Sequence, residues 1–398
     1  MKKDFVIIGA GKLGRGYLAD IFADRYHLVF LEAYEPLADA LKRQGSYTLF
    51  RSKSEGGYDR RVFEDFDVYC TSTEEDRSIE VLSECSLGGI AVYKDGFAPF
   101  GKMLSKAVKK RMEKGISVPM DILILANTIS PDKAIREAMN EELSAEEKEY
   151  ADRYVGLVQT LPFRGGYPPS EEMLREDPLA VSATDYPEIP VDKDAFRGTI
   201  PDDVPLLLLN KMTERLNAKI WTANIRGAIL ASLGKQKGYT LVEESSGDED
   251  IIRQVNAGID EAIFGALYHF GFTREEFEIG RHKDLTGGKR NSSDVLDRQL
   301  NDLKRKLGRE ERFTGPAVAC LKAGRIPYYI TKAEALAFDY RSETDPAAQE
   351  ISDYVSANGI RDAVIHYCGL DEKDRYESQI IGLIVDQYED NIKKVNVD

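Results

Sequence analysis

Short apolar runs alternate with amphipathic stretches over the first half of the chain. A glycine-rich turn follows the first run at once, and long helical periodicity fills the second half. Together these predict an α/β protein, with a mainly parallel, doubly wound sheet in an N-terminal domain followed by a mostly α-helical C-terminal domain. A chain of 398 residues exceeds what one ordinary hydrophobic core serves, so two domains are expected, 1–200 and 201–398.

In order, the N-terminal elements are the run DFVIIG, a helix over Leu13 to Asp24, the run HLVFLEA, a helix over Pro36 to Gln44, then IAVY, a lysine-rich helix, and DILILAN. Each apolar run is short enough for a strand buried on both faces, and each amphipathic stretch is long enough to cross back over the sheet. VGLVQT, Val181 to Thr184 and Ile189 to Val191 lie among proline-rich turns and are expected to extend the sheet with antiparallel strands. Beyond Pro205, helices are expected over Leu206–Leu233, Asp248–Phe270, Ser292–Leu307, Lys332–Tyr340, Pro346–Asn358 and Glu377–Lys394.

A formal net charge of -15 argues against a nucleic-acid binder, whose affinity rests on excess lysine and arginine. Nothing approaches the apolar length of a membrane span, and the first apolar run lacks the features of a signal peptide. Cys70, Cys85, Cys320 and Cys368 form no CxxC pair, so a reduced, cytoplasmic setting is expected, with neither a disulfide framework nor a thiolate metal site. His27, His269, His282 and His366 include no pair at ligand spacing, and no metal is expected.

The turn Gly9-Ala10-Gly11-Lys12-Leu13-Gly14 sits between a strand and a helix, the context that gives GxGxxG its meaning as a dinucleotide-binding, or Rossmann, fingerprint. Gly9 serves the tight turn, Gly11 the approach of a pyrophosphate to the backbone, and Gly14 the contact between helix and strand. Amides at the helix start, over Lys12 and Leu13, and the positive end of the helix dipole face the phosphates. Glu32 closes the second strand about where an acid accepts the ribose hydroxyls, and its charge favours NAD over NADP. Arg51 and Lys53 are the nearby cations that an additional phosphate would recruit.

GAGKLGRG, VDKDAFRGTIP (Val191 to Pro201) and YRSETDPAAQEI (Tyr340 to Ile351) resemble three segments of the polyol-specific long-chain dehydrogenases, the mannitol dehydrogenase family, in that family's order. The resemblance covers nearly the whole chain and is strongest to the branch acting on mannitol 1-phosphate. It implies one NAD, no metal, often a monomer, and interconversion of a sugar alcohol, often phosphorylated, with its ketose. The family's catalytic pattern is a lysine, an asparagine five residues later and a histidine three beyond. Here it reads Lys219, Asn224 and Gly227.

By that resemblance Lys219 is the general acid/base, Asn224 a hydrogen-bond donor to the reacting oxygen, and Asn127, closing DILILAN, a second donor. The family's acid before that asparagine is Ala126 here, and its basic cluster near Pro316 is reduced to Thr314 and Lys322. On one continuous helix Arg226 would lie two turns from Lys219, where it can grip a phosphate or carboxylate and depress the lysine pKa. Lys289, Arg290 and Asn291, before a helix start with Ser292 as its N-cap, form a second candidate anion site. The competing expectation is a divergent family member that binds NAD and a sugar ligand without efficient catalysis, as a sensor or interaction protein.

Overall fold

A computed structural model describes residues 2–395 apart from 54–56, 127, 129, 280–293 and 343–344. Its strands are β1 (Asp4–Ile8), β2 (His27–Glu32), β3 (Tyr47–Ser52), β4 (Tyr58–Phe63), β5 (Phe66–Cys70), β6 (Leu87–Ile90), β7 (Met120–Ile124), β8 (Val155–Gln159), β9 (Gly166–Tyr167), β10 (Val181–Thr184), β11 (Ile189–Asp192) and β12 (Leu206–Leu209). Six of them form one sheet in the order β5-β2-β1-β6-β7-β8, with every pairing parallel. The order reverses direction beside β1, the arrangement of a doubly wound dinucleotide fold. Phe5 to Ile8, Leu28 to Leu31 and the whole of β7 are buried, as strands covered on both faces require.

The late strands depart from expectation. VGLVQ, as β8, does extend the main sheet, but in parallel, because it follows the Ala145–Tyr154 helix and a helical crossover returns the chain in the same direction. β10 joins a separate sheet of order β4-β3-β10-β9, and β11 pairs in parallel with β12. The strand placed on IAVY falls instead on LGGI. Glycine there reflects close packing: a Cβ on Gly88 would lie 2.6 Å from the Val6 carbonyl oxygen, and one on Gly89 2.7 Å from Leu18.

The described residues fall into two compact units, one reaching to Leu216 and the other starting at Asn217, later than the boundary expected near residue 200. The segment past residue 200 stays with the first unit because Leu206–Leu209, expected to be helical, is a strand bonded to β11. A run of four leucines has no period that distinguishes strand from helix. Asp121, buried in β7, holds the stretch between β11 and β12, its carboxylate accepting from the Arg197 and Gly198 amides at 2.8 and 2.9 Å.

The second unit is helical. Glu249–Phe270 and Pro346–Asn358 lie where periodicity puts them, and Tyr328–Phe338 and Arg375–Val395 nearly so. The single helix expected over Ser292–Leu307 is instead two short ones, Leu296–Leu300 and Leu303–Leu307, parted at Asp302, whose φ of 62° no helix tolerates. Among the described residues no helix is long and apolar enough to cross a membrane.

Glu334 is wholly buried in this unit with Thr314 and Cys368. Thr314 Oγ1 lies 2.5 Å from the Leu307 carbonyl oxygen and 2.6 Å from Glu334 Oε1, and Cys368 Sγ lies 3.4 Å from the same carboxyl oxygen. One hydroxyl proton cannot serve two acceptors, so the arrangement is complete when Glu334 carries a proton and donates to Thr314. Burial accordingly pushes its pKa up to about 7. A carboxyl raised in the folded state binds more protons there than in the unfolded chain, so its contribution is full below about 4.5 and is lost as pH rises to about 7. Glu334→Gln is therefore expected to flatten the decline and, at pH 8, to unfold at higher denaturant, by on the order of 3 kcal/mol. Parallel wild-type and variant curves across that range would contradict the protonated state.

Candidate functional site

The loop after β1 is shaped by what its glycines exclude. Gly9, at φ +92°, sits where a Cβ would meet the Ala91 carbonyl oxygen at 2.8 Å, and a Cβ on Gly14 would lie 1.9 Å from the Gly9 oxygen. Gly11 is different, with nothing within 4 Å of its Cβ position. The loop is therefore closed beneath Gly9 and Gly14 and open above Gly11. Lys12 is exposed there and Leu13 half-buried. The following turn, Gly14–Leu18, is π-helical, and no side chain caps it at Leu13.

Two charged side chains fasten this loop from below. Glu32 accepts the Ala10 amide at 2.6 Å through Oε2 and the Tyr34 amide at 2.8 Å through Oε1, which leaves each oxygen a second lone pair for a ribose hydroxyl. Arg15, which completes the GAGKLGRG segment but was given no role in the sequence reading, is buried and donates Nε to the Ala10 carbonyl at 2.6 Å, Nη1 reaching the Leu179 carbonyl. Its position directly after the fingerprint was the available signal. Arg51 pairs with Asp20 and Lys53 with Asp59, so the two cations that an NADP phosphate would recruit already face carboxylates. An open glycine at the turn, amides at a helix start and an anchored acid fit a dinucleotide without the extra phosphate.

Lys219 lies in the helix Met212–Thr222 and Asn224 opens the helix Asn224–Gln236. The two meet at Ala223, whose amide donates to the Lys219 carbonyl at 2.9 Å. Lys219 and Arg226 thus belong to two abutting helices, where one continuous helix was expected. The buried side chains beside the lysine are Ala218, Ile220, Trp221 and Thr222. Trp221 fixes the helix rotation: its indole Nε1 donates to the Glu310 carbonyl at 2.9 Å, and its ring fills the space where a Cβ on Gly315 would come within 2.6 Å. Lys219 itself is half-buried, and loss of solvent pulls its amine down to about 7. Asn224 is half-buried, and Arg226 is exposed.

Asn127, Lys289, Arg290, Asn291 and the expected cap Ser292 lie outside the described residues. The structure adds Lys306, which sequence reading passed over because it sits in an ordinary basic stretch. It is buried, donates Nζ to the Gln299 carbonyl at 2.9 Å, and is drawn down to about 8 by burial first and then by Arg312 and Arg305. His269 packs on Trp221 and His366 stacks on Tyr354. Among the described residues no group of three or more His, Cys, Asp or Glu is placed to hold a metal.

Residues 3–202 match the mannitol dehydrogenase Rossmann domain. A substrate-free D-sorbitol dehydrogenase superposes with a TM-score of 0.77 at 13% identity, over 99% of this chain and 94% of that one. Mannitol 2-dehydrogenase of Pseudomonas fluorescens, in a ternary complex with NAD and D-mannitol, superposes with a TM-score of 0.72 at 15% identity, over 98% and 92%.

The open space above Gly11 separates ligand effects from folding effects. Gly11→Ala is expected to leave the melting temperature unchanged while weakening NADH binding at least tenfold, as read by nicotinamide fluorescence. Unaltered affinity would show that the pyrophosphate does not approach this turn.

Proposed function

Because the chain belongs to the mannitol dehydrogenase family, we propose that it is an NAD-dependent oxidoreductase interconverting a sugar alcohol, free or phosphorylated in the manner of mannitol 1-phosphate, with its ketose. The observation that carries the reading is Lys219, a half-buried lysine held near neutrality by desolvation and placed five residues before Asn224. NAD, when bound, supplies the hydride acceptor for alcohol oxidation and, reduced, the donor for ketose reduction. Gly9, Gly11 and Gly14 with the amides of Lys12 and Leu13 would hold its pyrophosphate, and Glu32 its ribose.

Lys219 does the proton work. As the neutral amine it accepts the hydroxyl proton of the alcohol, and as the ammonium it returns a proton to the carbonyl oxygen in reduction. A reference lysine would be almost wholly protonated at neutral pH and idle as a base; one near 7 is available in both forms. Asn224 donates a side-chain N–H to the oxygen as negative charge develops, a role that Asn127 shares by its place in the family pattern. Arg226 is the candidate anchor for an anionic end of the substrate, with Lys289, Arg290 and Asn291 as a second anion-binding group.

Gly227 in place of a histidine favours a second reading, an NAD- and sugar-binding protein without efficient turnover. The absorbance of reduced nicotinamide, followed with a panel of polyols, polyol phosphates and their ketoses, separates the two. The oxidoreductase reading expects turnover of at least one pair, and NADH binding with none turned over supports the sensor. For the productive pair, Lys219→Ala is expected to lower kcat about 10²- to 10⁴-fold with NADH affinity retained. Oxidation needs the neutral amine, so its kcat/KM rises with pH to a plateau above about 7, whereas reduction needs the ammonium and falls over the same range. A flat profile in both directions would remove the lysine from the chemistry.

A further inference from the structure

Gly227 follows Asn224 by one turn on the Asn224–Gln236 helix, and residues three apart share a helix face. A Cβ at position 227 would lie 2.4 Å from Gln299 Oε1 and 3.2 Å from its Cδ. The polar surface at that turn is therefore supplied by a side chain from another element, the Leu296–Leu300 helix, and the glycine is what admits it.

The pose of Gln299 is held from several directions. Its Nε2 donates to Asp294 Oδ2 at 3.0 Å, its backbone carbonyl accepts Lys306 Nζ at 2.9 Å, and Leu296 and Leu300 on either side of it are fully buried. A carboxylate accepts and does not donate, so the end of the amide beside Asp294 is the nitrogen and the end against Gly227 is the oxygen. The helix face that carries Asn224 thus presents a fixed acceptor one turn further on. An acceptor recognises a hydroxyl hydrogen and disfavours the oxygens of a phosphate or carboxylate, which bring only further lone pairs.

We propose that Gln299 is a substrate-specificity residue whose Oε1 accepts a hydrogen bond from an uncharged hydroxyl of the polyol, other than the one being oxidised. The assignment rests on the polyol oxidoreductase reading above. It also keeps any anionic end of the substrate off Gln299 Oε1 itself.

The test is steady-state kinetics with the polyol that the wild type oxidises best and with its series of monodeoxy analogues. Gln299→Leu removes the acceptor and is expected to raise KM roughly tenfold with kcat changed by only a few-fold. For the one analogue that lacks the contacted hydroxyl, wild type and Gln299→Leu converge on the same KM, a coupling that a purely structural role would not produce. Gly227→Ala leaves Gln299 in the sequence but pushes its amide aside, and is expected to reproduce the rise in KM, so the inference stays testable if Gln299→Leu fails to fold.

An unchanged KM in Gln299→Leu or Gly227→Ala, or one that shifts equally for every analogue, overturns the role of Gln299 and leaves the oxidoreductase reading standing. A wild type that turns over no polyol or polyol phosphate overturns both.

Discussion

Desolvation of Lys219 is the constraint on which the chemistry proposed for the second unit depends. An exposed lysine would hold its proton far above neutrality and be of no use as a base, so the proposed role requires the amine to be withdrawn from water. The surrounding packing is consistent with that requirement. Trp221, two residues on, is locked by its bond to the Glu310 carbonyl and by a neighbour, Gly315, that has no side chain to obstruct the ring. This fixes the rotation of the helix and hence which of its residues face the core. Ile225, on the next helix, is fully buried in the unit's main core.

The first unit solves a different problem, the presentation of backbone to an anion. Its loop is held by near-contacts that only glycine allows at Gly9 and Gly14, and by Glu32 and Arg15, which satisfy the Ala10 amide and carbonyl respectively. With those groups bonded inward, the open side at Gly11 is left for a ligand. The buried Asp20 joins this helix to the second sheet, taking Arg164 at 2.6 Å and Arg61 at 3.1 Å, so the loop stands on a braced support. Such preorganisation lets a cofactor bind without first ordering the turn.

Much of this was legible in residue pattern. The fingerprint, the two strands flanking its helix and the acid at Glu32 are local features, and their spacing alone is diagnostic. What was not legible depends on partners distant in the chain. β10 reads as a strand, but nothing near it says that it pairs with β3. Leu206–Leu209 looks helical until β11 claims it, and the placement of β6 on LGGI follows from packing against Val6 and Leu18, which no local propensity records. At the candidate site, Lys219 and Asn224 were legible through the family pattern. Gln299 was not, since its importance comes from an absence at Gly227, more than seventy residues earlier. Lys306 stayed hidden for a similar reason, because burial cannot be inferred for one lysine within a basic run.

The proposed proton transfer turns on the titration of one amine. Protein labelled with 13C-lysine, with the Lys219 ε-carbon resonance assigned by comparison with Lys219→Arg, reports that titration free of any substrate. The desolvated environment predicts a midpoint near 7. A midpoint near the ordinary lysine value of 10.5 would contradict it, leaving Lys219 a surface cation and the proton transfer without its base.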